Sequence, residues 1–195
     1  MIAIRKSSKQ NAPRPVTKEN AVDQAAKLES CASLLEAPRF ASAGALLFAG
    51  LRQHYTSDMS GIAAQWQQFG PQIGNVPGQV GRVAYGVWYN AQPSPFAIDH
   101  LCAVEVSSSE NLPSGLTALR VPPRRYAVFA HQGHVSTISR TVDAIFHSWL
   151  PASGYEHASS PGAADDALAF YERYGENFDP RSGEGDIEIW IPIKE

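Results

Sequence analysis

Hydrophobic and polar positions divide this chain into a polar beginning and a patterned remainder. Residues 1–37 open with the run Arg5-Lys6-Ser7-Ser8-Lys9-Gln10-Asn11, followed by Pro13 and Pro15. Such composition gives an arm without a core of its own. Within the arm, Val22, Ala25, Ala26, Leu28, Ala32 and Leu35 predict a helix from about Thr17 to Leu35, stopped by Pro38. Over 38–195 the text is that of a folded domain. Ala45–Leu51, Arg82–Tyr89, Leu101–Val106, Leu116–Val121 and Arg125–His131 read as strands. Asp165–Gly175 and Asp186–Ile193 read as two more. Ile62, Trp66 and Phe69 are spaced four and three, a helix stripe. Ile138, Val142, Ile145, Phe146 and Trp149 predict a second helix over Ser136–Trp149, with Ser136 or Thr137 as its cap and Pro151 at its end.

The pattern restarts. Phe48 is answered by Phe129, Trp66 by Trp149, Val87 by Phe170 and Val104 by Ile187, each 81 to 83 residues on. The repeated unit is β-α-β-β. Two such units predict an α+β domain: a curved antiparallel sheet with both helices on one face and a natural pocket where the units meet.

Composition narrows the function. The chain has 44% hydrophobic residues, enough for a core, and a net charge of −3, which disfavours a protein built to coat nucleic acid. Two cysteines make neither a disulfide framework nor a cysteine-only zinc site. His131 and His134 have ligand-like spacing but no surrounding metal motif, and read as loop or helix-start residues. No cofactor motif, nucleophile elbow or phosphate loop is present; Gly81 and Gly86 read as turn glycines. No apolar run approaches the ~18 residues of a membrane span and no secretory signal opens the chain, so the expected compartment is the cytoplasm.

Two carboxylates draw attention because they sit in aromatic text. On a strand, Glu172 shares a face with Phe170 and Tyr174. A carboxylate on a core-facing side must be paired or have a task; pairing with Arg173 is the simple alternative. On the last strand Glu188 and Trp190 share one face, and Ile187, Ile189 and Ile191 the other. The isoleucines suit the helix-packed face, which leaves Glu188 and Trp190 to solvent or to the concave side.

The segments Tyr126–Gly133, Ser148–Tyr155, Tyr171-Glu172-Arg173-Tyr174 with Phe178-Asp179-Pro180, and Ile187–Lys194 closely resemble the GyrI-like, AraC-type effector-binding domains. Leu101–Val106 and Tyr85-Gly86-Val87 fit the first half less specifically. The resemblance covers about residues 38–195. It implies a tandem β-α-β-β fold that binds small, often cationic and aromatic molecules between its repeats. It places the acidic residue of that pocket at Glu172, with Tyr89, Tyr126, Phe129, Trp149, Tyr174, Glu188 and Trp190 as further candidates for the ligand's surroundings. Sensing or sequestration of an amphipathic cation is the expected function. A small hydrolase using the same Glu and a gyrase-inhibitor-like protein-binding module are the alternatives. Residues 1–37 hold at most one helix, too little for the DNA-reading unit that commonly precedes such domains. A stand-alone member without direct DNA binding is therefore expected, with the arm as the segment to dock a protein partner.

Overall fold

A computed structural model of the chain describes residues 35–56, 58–89, 98–158 and 168–194. The expected N-terminal helix over about 17–35, but for its last residue, and the first residues of the strand expected from Asp165 lie outside the described residues. In chain order the elements are β1 (Arg39–Ala43), β2 (Leu46–Tyr55), α1 (Ile62–Phe69), β3 (Gln79–Tyr89), β4 (Ile98–Val106), β5 (Thr117–Val121) and β6 (Arg124–Ala130). Then follow α2 (Ile138–Ala144), α3 (Leu150–Ser153), β7 (Glu156–His157), β8 (Leu168–Tyr174) and β9 (Ile187–Lys194). The two expected units are present as β2-α1-β3-β4 and β6-α2-β8-β9.

All pairings are antiparallel, and the sheet runs β1-β6-β9-β8-β3-β4-β2-β5, with β7 added to β9. Its two ends are related. The β1–β6 ladder (Arg39 opposite Val128 to Ala43 opposite Arg124) continues in the same register as the β2–β5 ladder (Leu46 opposite Val121 to Gly50 opposite Thr117). The break falls at Gly44-Ala45 and Pro122-Pro123, where prolines supply no backbone donor. This long ladder ties the first repeat to the second. On its other side β2 pairs with β4, and at Gly50 the two run so close that a Cβ would stand 1.9 Å from the Cys102 carbonyl oxygen, so only glycine fits.

Alternation sorts the side chains into two faces. One face is covered by the helices. Phe69 of α1 packs there with Val76, Cys102, Val104 and Val106. Under α2 lie Trp88, Phe129, Ile145, Phe170, Ile189 and Ile191. The opposite face carries Phe48, Tyr85, Val87, Leu101, Tyr126 and Tyr171 in a third cluster with Trp190 against it. Each of the large apolar side chains contributes ~1.5–3 kcal/mol by leaving water.

The structure departs from expectation in places with physical causes. The strand expected over Ala45–Leu51 is the middle of a longer pair, β1 and β2. β1 reads Arg-Phe-Ala-Ser-Ala, with little apolar alternation, and it is held by the β6 ladder. The second helix does not run evenly to Trp149. It widens into a π-type turn over Ile145–Trp149 before α3, where Pro151 cannot donate to the preceding turn. Its opening is capped by neither Ser136 nor Thr137; His134 Nδ1 accepts from the Ser136 backbone N–H at 3.1 Å. His131 is held by Thr141 at 2.8 Å, so both histidines sit in local hydrogen-bonding roles around the helix start.

Candidate functional site

β8 lies between β9 and β3, and its alternation sends Phe170, Glu172 and Tyr174 to the helix-covered face. On β3, Trp88 stands opposite Phe170 and Gly86 opposite Glu172. On β4, His100 stands opposite Trp88 and Cys102 opposite Gly86. Three neighbouring strands thus converge on one carboxylate at the seam between the two helix-covered cores.

The Glu172 carboxylate is 5% exposed. Its Oε1 accepts from the Trp88 indole N–H at 3.1 Å and its Oε2 from the Tyr174 hydroxyl at 2.7 Å. Both donors are neutral. Among the described residues no lysine, arginine or histidine forms an ion pair with it. Arg173, its sequence neighbour, is turned to the other face by strand alternation and reaches Glu188 instead. Burial therefore dominates the titration of Glu172. It raises the pKa from the ordinary 4.5 to about 7, against the two hydrogen bonds, which favour the ionised form. Burial beside this carboxylate also pushes the Tyr174 phenol well up, so Tyr174 stays a donor.

Gly86 is the floor of the site. It lies in the middle of β3, not in a turn, which corrects the turn reading of this residue. A Cβ built there would stand 2.6 Å from Glu172 Oε2 and 3.1 Å from His100 Nε2. The missing side chain is the space that the carboxylate and the imidazole share.

Behind the carboxylate is a buried polar chain. Gln65 of α1, 1% exposed, donates its amide NH2 to the Leu51 carbonyl at 2.8 Å and the His100 carbonyl at 3.0 Å. Its Oε1 accepts from the Tyr55 hydroxyl at 3.1 Å and faces His100 Nδ1 at 2.8 Å. Reversing the amide would set its oxygen against two carbonyl oxygens, so the orientation is fixed. Aromatic rings complete the walls. Trp88 stacks on Phe170 at 5.8 Å between centroids and lies 4.4 Å from His100. Half-buried Trp66 of α1 meets Tyr174 edge-on at 5.3 Å, and half-buried Phe146 meets Phe170 at 5.8 Å.

The eight residues singled out in the sequence do not form one group. Glu172 and Tyr174 are in direct contact. Phe129 and Trp149 lie on the same face but deeper toward α2, edge-on to each other at 4.9 Å. Trp190, Glu188, Tyr126 and Tyr89 belong to the opposite face and are not brought to Glu172. There Trp190 stacks on Tyr171 at 5.4 Å and meets Tyr126 at 5.5 Å. Glu188 accepts from Trp190 Nε1 at 3.0 Å and pairs with Arg39 at 2.7 Å and Arg173 at 3.4 Å. Sequence reasoning did not find Trp88, His100, Gln65 or Gly86 as parts of the site. For Gly86 a signal existed: a glycine inside a strand pattern marks a close approach. For the other three the signal is tertiary, since Trp88 and Glu172 are 84 residues apart.

No helix among the described residues is long and apolar enough to cross a membrane. The profile of the GyrI-like small molecule binding domain matches residues 37–194. The chain is 29% identical over 133 residues to the transcriptional regulator BrlR of Pseudomonas aeruginosa, a match covering 68% of this chain and 46% of that protein. The chain thus matches just under half the length of this relative. Among solved structures, a putative bacterial transcription regulation protein from Staphylococcus aureus MU50 shares the fold with a TM-score of 0.60 at 19% identity, over 83% of this chain and 99% of that one. SAV2435, solved bound to tetraphenylphosphonium, does so with a TM-score of 0.61 at 20% identity, over 82% and 94%.

Proposed function

The chain belongs to the GyrI-like small molecule binding domain family, and from that premise we propose that it senses or sequesters lipophilic cations held by Glu172. One observation carries the reading: an enclosed carboxylate, walled by aromatic rings, has two neutral donors and no cation of its own among the described residues. An ionised carboxylate in such surroundings is poorly compensated. A ligand cation supplies the missing charge, and Trp88, Tyr174 and Trp66 supply ring faces worth ~0.5–2 kcal/mol each to it. The tetraphenylphosphonium bound by SAV2435 is a ligand of this chemistry. Of the rings named around the site, Trp66 and Phe146 are the half-buried ones, so a guest is expected to enter on their side, between α1 and α2.

Tryptophan fluorescence titrated with tetraphenylphosphonium tests this. Saturable quenching is expected, with affinity at least ~30-fold weaker in Glu172→Gln, since removing one partner of an enclosed charge pair costs about 2 kcal/mol or more. Unchanged affinity in that variant, with the fold intact by circular dichroism, removes Glu172 from the site.

A further inference from the structure

The second acceptor beside Glu172 narrows the ligand class. His100 is 0% exposed. The orientation of Gln65 requires its Oε1 to accept, so the His100 proton is on Nδ1 and Nε2 carries a lone pair. Among the described residues that Nε2 has no hydrogen-bond partner. It and Glu172 Oε2 both pack over Gly86, 3.1 and 2.6 Å from where a Cβ of that residue would stand, so the two acceptors are neighbours. A buried acceptor without a donor is unfavourable, and a ligand that brings the donor relieves it. The ring stays neutral, because burial lowers its pKa to about 3. The lone pair is therefore available throughout the ordinary pH range.

We propose that the site is built for cations that carry N–H groups, such as aryl-alkyl ammonium or amidinium ions, which donate one N–H to Glu172 and another to His100 Nε2. This rests on the reading that Glu172 holds the ligand's charge. It adds His100 as the residue that sets preference, with Gln65 and Tyr55 as the positioning residues that fix its tautomer. A quaternary ammonium or phosphonium ion satisfies the carboxylate but leaves Nε2 bare.

The test uses two probes of equal charge and nearly equal ring area: naphthylmethylammonium, with three N–H donors, and its N-trimethylated counterpart, with none. The full chain is expected to bind the first about tenfold more tightly, the worth of one buried hydrogen bond. His100→Asn keeps a donor toward Gln65 but removes the Nε2 acceptor, and is expected to abolish that ratio. Long-range proton–nitrogen NMR of histidine-labelled wild-type protein provides a readout without mutation. The His100 Nε2 resonance should shift on adding the ammonium and stay in place on adding the trimethylated ion. Equal affinities for the two probes, or an Nε2 resonance indifferent to both, overturns the proposal while leaving the carboxylate reading intact. Affinities for both that are unmoved by Glu172→Gln overturn the carboxylate reading itself.

Discussion

Glu172 and Glu188 each accept a hydrogen bond from a tryptophan indole, at 3.1 and 3.0 Å, on opposite faces of the same sheet. Beyond that their surroundings diverge. Glu188 is half-buried, and burial works to raise its pKa. The hydrogen bonds from Arg39 and Trp190 and the charges of Arg39 and Arg173 together outweigh that, and its carboxyl is held below the ordinary range. Arg39 also lies over the Trp190 ring at 4.9 Å, so the protein fills the position of an aromatic-bound cation with its own side chain. Glu172 has the tryptophan and a tyrosine but no arginine. The contrast teaches what the internal cation does: Glu172 is the same carboxylate–tryptophan pair with no arginine beside it, and the proposed function assigns that place to a ligand. Strand alternation produces the difference, because Arg173 follows Glu172 in sequence and therefore points to the other carboxylate.

Stability should follow opposite pH trends on the two faces. The folded pKa of Glu172 is raised from 4.5 to about 7, so its contribution is fully present below 4.5 and is lost as pH rises to about 7. That loss amounts to about 3 kcal/mol, at ~1.4 kcal/mol for each tenfold change in proton affinity. Glu172→Gln keeps an acceptor for Trp88 and cannot ionise. It is expected to unfold at a higher denaturant midpoint than wild type at pH 8 and at nearly the same midpoint at pH 4. Equal midpoints at pH 8 would show that the carboxylate is better compensated than its neighbours imply. The folded pKa of Glu188 is lowered, so its contribution is present above the unfolded value and is lost as pH falls into the acid range.

Gly86→Ala sharpens the comparison by touching one carboxylate only. The new methyl meets Glu172 Oε2 and His100 Nε2, and overpacking of this kind costs about 2 kcal/mol. A fall in thermal midpoint together with a fall in tetraphenylphosphonium affinity is expected, while fluorescence of the Trp190 face is unaltered. Glu188→Gln is the smallest change: it removes a partly exposed pair with Arg39 and Arg173 and is expected to lower stability by about 1 kcal/mol without altering cation binding. A loss of binding in this variant would move the site to the opposite face.

These effects also mark what could be read from the sequence. The alternation of β8 and β9 placed Glu172 with Phe170 and Tyr174, and the isoleucines on the helix-covered face, because strand periodicity is local. The recurring order of strand, helix, strand and strand reported the two units, but not residue by residue: Phe48 and Val87 face away from the helices, whereas Phe129 and Phe170, the residues matched to them, face the helices. The identity of each carboxylate's partners was not local. Arg39 reaches Glu188 across 149 residues, and β1, which carries it, has too weak a pattern to be read as a strand. Gly86 was legible as a strand interior only by its neighbours Tyr85 and Val87; its purpose depends on two strand pairings that bring Glu172 and Cys102 opposite it. The turn at Ile145–Trp149 hides inside an apolar spacing that fits an even helix.

The most direct test is the pKa of Glu172 itself, followed by carboxyl-carbon NMR with and without saturating tetraphenylphosphonium. Titration near pH 7 in the free protein, moving down toward the ordinary carboxylate range when the cation is bound, is the predicted result. A Glu172 pKa that is the same in both states would mean that the cation does not bind at this carboxylate.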